Sequence, residues 1–218
     1  MAVPPTTAQK PGRLVPRDAA TLVLVDTSVR GKARILMGRR RAGLAFLANK
    51  VVFPGGSVDA ADKTAPSDGE LSPATLSNLL NAMRGRPSVA RARALGIAAI
   101  RELREETGIA LGDPERPPLT ALTFFARAIT PPDRPRRYDT RFFMADAATA
   151  LTQPLAGDGE LVDLAWITLE EARRCDLPGI TRLIIDDLAV LLPLRTARHG
   201  PGIPFYYYRL GSQRREIL

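Results

Sequence analysis

Between Arg101 and Ile109 the chain reads Arg-Glu-Leu-Arg-Glu-Glu-Thr-Gly-Ile, and this short segment constrains the rest more than any other. It closes a helical pattern that starts at Ser88, a good N-cap, and stops at Gly108, a good C-terminal stop. On a helix, positions three and four apart share a face, so Glu102 stands beside both Glu105 and Glu106. Carboxylates gathered near a helix C-terminus repel one another and oppose the helix dipole. Each like-charge pair costs about 0.2–0.5 kcal/mol in an isolated helix, and burial adds to that. A divalent cation removes the penalty; oxygen ligands without histidine or thiolate favour Mg²⁺ or Mn²⁺. The plain alternative is a solvated acidic face tied down by Arg104 and by Arg101, four residues before Glu105.

The remaining composition narrows the chemistry. A single histidine, His199, sits in a turn-like His-Gly-Pro-Gly stretch, so histidine-based zinc sites and Ser-His-Asp or Cys-His nucleophiles lack their parts. The lone Cys175 excludes an internal disulfide and makes a reducing cytoplasm the default expectation. The longest apolar stretch, Leu183 to Leu194, is broken by Asp186 and Asp187, short of the roughly 18 to 20 residues a membrane span needs. No secretory signal is visible at the N-terminus. The formal charge of +8 is carried mostly by arginine, with lysine only at positions 10, 32, 50 and 63. Arginine suits bidentate phosphate binding, but an Ala-, Arg- and Leu-rich chain also reflects GC-rich coding, so charge alone selects no partner. No helix-turn-helix, zinc-finger or RNA-recognition signature is present, and nucleic acid is not expected as a partner.

Along the chain, residues 1–17 read as a flexible proline-containing leader. Strands are expected at Ala20 to Asp26, Ala33 to Gly38, Val51 to Phe53, Leu119 to Ile129 and Arg137 to Ala145. Glu160 to Ile167 reads as loop leading into strand. Ser72-Pro73 has the N-cap and N1 chemistry of a short helix ending near Met83. A further short helix is capped by Thr168, and Ile180 to Leu192 reads as an amphipathic helix, followed by the aromatic run Phe205 to Tyr208. Strands and helices interleave without regular βαβ alternation, the pattern of a mixed α/β fold in one domain.

Upstream of the carboxylates, Phe53-Pro54-Gly55-Gly56-Ser57-Val58-Asp59-Ala60-Ala61-Asp62 carries a strand into a Gly-Gly turn followed by acidic residues. Strand, turn and carboxylate helix together resemble the Nudix box, G-x5-E-x7-R-E-U-x-E-E-x-G-U with U aliphatic. Gly56 takes the first position and Asp62 stands in for the first glutamate. Arg101 to Ile109 match every defined position of the second half. The spacer from residue 63 to 100 holds 38 residues where the standard box has seven, an insertion of about 31. The cost of closing a loop rises slowly with its length, so such an excursion is tolerable. A similar insertion occurs in the branch that contains the animal peroxisomal coenzyme A diphosphatases. Val52 to Asp62, Thr130-Pro131 and Pro135 to Phe143 are similar to that branch in wording. The resemblance covers roughly residues 20–170. The chain ends Glu-Ile-Leu without that branch's peroxisomal tripeptide, and a bacterial, cytoplasmic protein is the simplest expectation.

The resemblance implies an α+β fold: one Nudix-type α/β/α sandwich over residues 18–218, with a mixed sheet and a helical insertion at about 63–87 inside the box. It implies that Glu102, Glu105 and Glu106 hold Mg²⁺ or Mn²⁺ with the Gly56 carbonyl, and that Arg101 orients a box glutamate. Glu102 and Glu160 are the candidates for general base. Arg136, Arg137 and Arg141 are candidates for binding substrate phosphates; a structural Arg-Asp network with Asp139 is the competing reading. The expected reaction is metal-dependent hydrolysis of a diphosphate linkage, in coenzyme A or acyl-coenzyme A by preference. ADP-ribose, nucleotide sugars and dinucleoside polyphosphates are the enzymatic alternatives. A nucleotide-sensing binding protein is the alternative of another class. A small nucleotide is the expected partner, and the resemblance admits a homodimer.

Overall fold

Residue parity along one central strand organises the molecule, seen in a computed structural model that describes residues 14–29, 32–44, 47–150, 154–194 and 202–218. Strand β1 (Arg17–Asp26) sends Ala20, Leu22 and Leu24 to one side and Val23 and Val25 to the other, all buried. A strand buried on both faces needs a layer above and below. On the first side lie α1 (Pro73–Asn81) and α2 (Val89–Thr107); on the second lie α3 (Leu169–Arg174) and α4 (Gly179–Leu191). This is an α/β/α sandwich, the architecture that the resemblance implies.

The sheet is mixed. β1 pairs with β2 (Arg34–Arg40) and with the short β4 (Gly55–Ser57) in antiparallel fashion, and with β6 (Tyr138–Asp146) in parallel. β2 also carries β3 (Val51–Val52) and β7 (Leu161–Thr168). Beyond β6 follow β5 (Thr123–Ile129), then β8 (Pro204–Arg209) and β9 (Ser212–Ile217). Strand β7 is locally irregular: Asp163 has a left-handed φ of 53°, and the β2–β7 register shifts between Met37 and Arg39. Strand β9 went unread in the sequence because all six of its residues are exposed, leaving no hydrophobic alternation to detect. In the aromatic run, Tyr206 is buried and donates to Asp187 at 2.6 Å, whereas Phe205 and Tyr207 stack on each other.

Helix ends follow the local chemistry. The Ser72 and Ser88 hydroxyls accept from the backbone N–H of Thr75 and Arg91, each at 3.2 Å. α2 stops at Gly108, whose φ is 77°, and Thr168 forms a reciprocal capping box with Glu171 at the start of α3. The insertion folds back rather than projecting. Leu71, Leu79 and Ala82 are buried in the core they share with α2, and the Thr75 hydroxyl donates to the Leu122 carbonyl at 3.1 Å. Among the described residues no helix is long and apolar enough to cross a membrane. Residues 1–13 of the expected leader, and His199, lie outside the described residues.

Candidate active site

The box residues converge where β4 meets the last turns of α2. A cleft of about 490 Å³ there is lined by Gly55, Gly56, Asp59, Arg101, Glu102, Glu105 and Glu106, by Arg40 of β2, and by Asp158 and Glu160 ahead of β7. Apolar Leu47, Val52, Phe53, Phe142 and Ile180 line it as well, interleaved with Thr21, Arg136, Tyr138 and Thr140. A larger cavity of about 720 Å³, between β5, α4 and the C-terminal hairpin, holds none of the box residues.

Arg101 is the hub. Its Nε and Nη2 donate to the two oxygens of buried Asp62 at 2.9 and 3.1 Å, and Nη2 also donates to the Ser57 carbonyl at 3.0 Å. Its Nη1 donates to Glu102 at 2.9 Å and to Glu105 at 2.8 Å. Burial works against the guanidinium's charge, but Asp62 and Glu102 outweigh it and raise its pKa. Asp62 also accepts from the Asp59 N–H at 2.7 Å, so the residue at the first-glutamate position of the box both caps a turn and anchors the arginine. Gly56 packs directly on the Glu102 carboxylate; a Cβ there would collide with it.

Glu106 points the other way, into the sheet. It accepts from the Gly55 N–H at 2.8 Å and stands 3.8 Å from Arg40. Burial pushes its carboxyl up to about 8, with Glu102 and Glu160 adding repulsion and Gly55 and Arg40 offsetting part of it. Burial likewise raises Glu102, against the pull of Arg101. The loop bearing Asp158 and Glu160 sits on the end of α2. The N–H groups of Ala156 and Asp158 cap the carbonyls of Thr107 and Glu105 at 3.0 and 2.8 Å. Gly157 lies so close to the Glu106 carbonyl that any side chain would strike it.

The donor set is all oxygen, three glutamates beside a glycine turn, and one of them is buried with its pKa pushed up; a hard divalent cation fits that chemistry. Among the described residues no three acidic, histidine or cysteine side chains converge closely enough to clasp an ion as they stand, since Arg101 holds Glu102 and Glu105. Of the three arginines expected at substrate, Arg136 lines the cleft. Arg141 does not: it is fully buried and bound to Asp18 and Asp139, each at 3.0 Å. Arg137 is buried too, donating to the carbonyls of Leu14, Thr130 and Pro131. The Arg-Asp network is therefore the observed arrangement at Arg141, with Arg127 and Arg91 as further members. Arg40 was not singled out in the sequence, where nothing distinguishes it from its neighbours Arg39 and Arg41.

Residues 92–188 match the family model described as NUDIX domain. A Nudix hydrolase from Alicyclobacillus acidocaldarius shares the fold with a TM-score of 0.61 at 22% identity, over 80% of this chain and 91% of that one. The NUDIX domain of NrtR from Shewanella oneidensis, solved with ADP ribose, aligns with a TM-score of 0.50 at 12% identity, over 79% and 86%. No curated protein matches. The chain thus shares the Nudix fold, and residues 92–188 within it match the NUDIX domain. Nudix hydrolases generally use divalent metal ions.

Proposed function

We propose that this enzyme hydrolyses a diphosphate linkage in a nucleoside diphosphate derivative, with Mg²⁺ or Mn²⁺ held by Glu102, Glu105, Glu106 and the Gly56 carbonyl. The observation that carries the reading is the convergence of the box carboxylates in one cleft around an arginine locked by Asp62. When bound, the cation neutralises phosphate charge and lowers the pKa of a water. Glu160, half-exposed on the cleft wall, accepts that water's proton, with Glu102 as the alternative acceptor. Arg136 at the cleft engages substrate phosphate. The preferred substrate is coenzyme A or an acyl-coenzyme A, cut to adenosine 3′,5′-bisphosphate and a 4′-phosphopantetheine. What supports this choice is the long insertion within the box and the surrounding sequence.

The test is incubation with Mg²⁺ or Mn²⁺ and a panel of coenzyme A, ADP-ribose and dinucleoside polyphosphates, with Glu105→Gln as control and products identified by mass spectrometry. Metal-dependent release of adenosine 3′,5′-bisphosphate, absent from the control, is the expected outcome. Equal turnover of ADP-ribose would remove the substrate preference and keep the chemistry. No cleavage of any compound would overturn the hydrolase reading in favour of nucleotide sensing.

A further inference from the structure

Two carboxylates of the cleft come from distant parts of the chain, Glu106 from α2 and Glu160 from the loop before β7, and one guanidinium lies between them. Arg40 Nη1 is 3.8 Å from Glu106 and Nη2 is 3.6 Å from Glu160. Its backbone is fixed on every side. The Arg40 N–H donates to the Lys50 carbonyl, its carbonyl accepts from the Asn49 N–H, and the next N–H, that of Arg41, donates to the Glu160 carbonyl, all at 2.9 Å. Arg40 is also the register partner of Leu161 in the β2–β7 ladder. Opposite it, Glu106 is held by the Gly55 N–H and the Glu160 loop by the end of α2. The guanidinium thus spans a gap whose two sides are set by backbone. Both separations exceed hydrogen-bond length, so these two contacts act through charge. Arg101, by contrast, is committed to Asp62.

We propose that Arg40 is a positioning residue with two effects. It holds the Glu160 carboxylate over the cleft opposite Glu106, and its charge opposes that of the carboxylate cluster, so that a divalent cation is bound less tightly than the carboxylates alone would bind it. The first effect rests on the hydrolytic reading above; the second does not. A merely structural arginine predicts that its removal weakens cation binding and activity together, whereas this arrangement moves them in opposite directions.

The experiment titrates Mn²⁺ alone into the full chain, following free Mn²⁺ by EPR, for wild type, Arg40→Gln and Arg40→Lys. Removing a charge about 4 Å from a ligand is expected to tighten Mn²⁺ binding about five-fold in Arg40→Gln. Arg40→Lys keeps the charge and loses the fork, so its Mn²⁺ affinity stays at the wild-type level while kcat falls. On the panel substrate that turns over, Arg40→Gln is expected to lower kcat about ten-fold at nearly constant KM, and to add nothing to the loss caused by Glu160→Gln. Unchanged or weakened Mn²⁺ binding in Arg40→Gln overturns the counter-charge; full additivity with Glu160→Gln overturns the positioning. Should Arg40→Gln not fold, Arg40→Lys decides alone: wild-type Mn²⁺ affinity with lowered kcat upholds the proposal, and joint loss or no change in either overturns it. An inactive wild type refutes the hydrolytic reading, and the Mn²⁺ titration still decides the counter-charge.

Discussion

Glu106 is nearly sealed from solvent, and in the cation-free protein its carboxyl sits near 8, above its ordinary value of 4.5. A group whose folded-state pKa is raised holds its proton more tightly when folded. Its contribution to stability is therefore full below about 4.5 and is lost as pH rises through about 8. The Tm of cation-free protein is expected to fall across that window. Glu106→Gln should flatten this fall, giving a variant that melts higher than wild type at alkaline pH while losing activity; a thermal series with and without chelator checks it. Gly157 offers a second residue-scale test. Alanine there must push the Asp158–Glu160 loop off the Glu106 carbonyl, and misplacing a catalytic group by about 1 Å can cost about 100-fold in rate. Gly157→Ala is expected to lose kcat on that scale while still melting cooperatively, as measured by kinetics beside calorimetry.

Elements α1 and α2 answer different questions. α2 spans from a serine cap to the turn that carries Glu102, Glu105 and Glu106, so fraying at one end loosens the cleft at the other. Ser88→Ala should cost about 1 kcal/mol in urea denaturation. α1 lies inside the insertion yet buries Leu79 completely and contributes nothing to the cleft. Leu79→Ala should therefore cost about 2–5 kcal/mol of stability and leave kcat unaltered at temperatures where the variant is folded. A large loss of kcat in folded Leu79→Ala would instead give the insertion a role at the site. The cap residues and the helical period predict both helices to within two or three residues, because capping and periodicity are local in sequence.

At the scale of the whole molecule, a charged network ties the insertion to the sheet. Arg127 and Arg141 share Asp139, Arg141 and Arg91 share Asp18, and Arg127 also donates to the Ala82 carbonyl at 2.5 Å. Among the described residues Nε and Nη2 of Arg141 have no hydrogen-bond partner although both are buried. The network is thus already short of acceptors. Asp139→Ala would leave two buried guanidiniums without their shared carboxylate, at a cost of about 3–5 kcal/mol. Denaturant unfolding of this variant beside Asp139→Asn, which keeps an acceptor but not the charge, measures it.

Several features were set by the sequence alone: the carboxylate spacing on α2, the caps of both helices, the Gly-Gly turn, and the shared parity of Arg137, Asp139 and Arg141. Each depends on residues a few positions apart. Alternation shows which side chains share a face of a strand, but not which face meets the cleft. Only the packed sheet decided that Tyr138, Thr140 and Phe142 line it while Asp139 and Arg141 are buried on the other side. The pairing of Arg101 with Asp62 across the insertion, the seat of Gly157 on α2 and the reach of Arg40 to Glu160 were likewise tertiary decisions. They join segments whose separation in the chain carries no periodic signal, and strand register, not local propensity, brings them together.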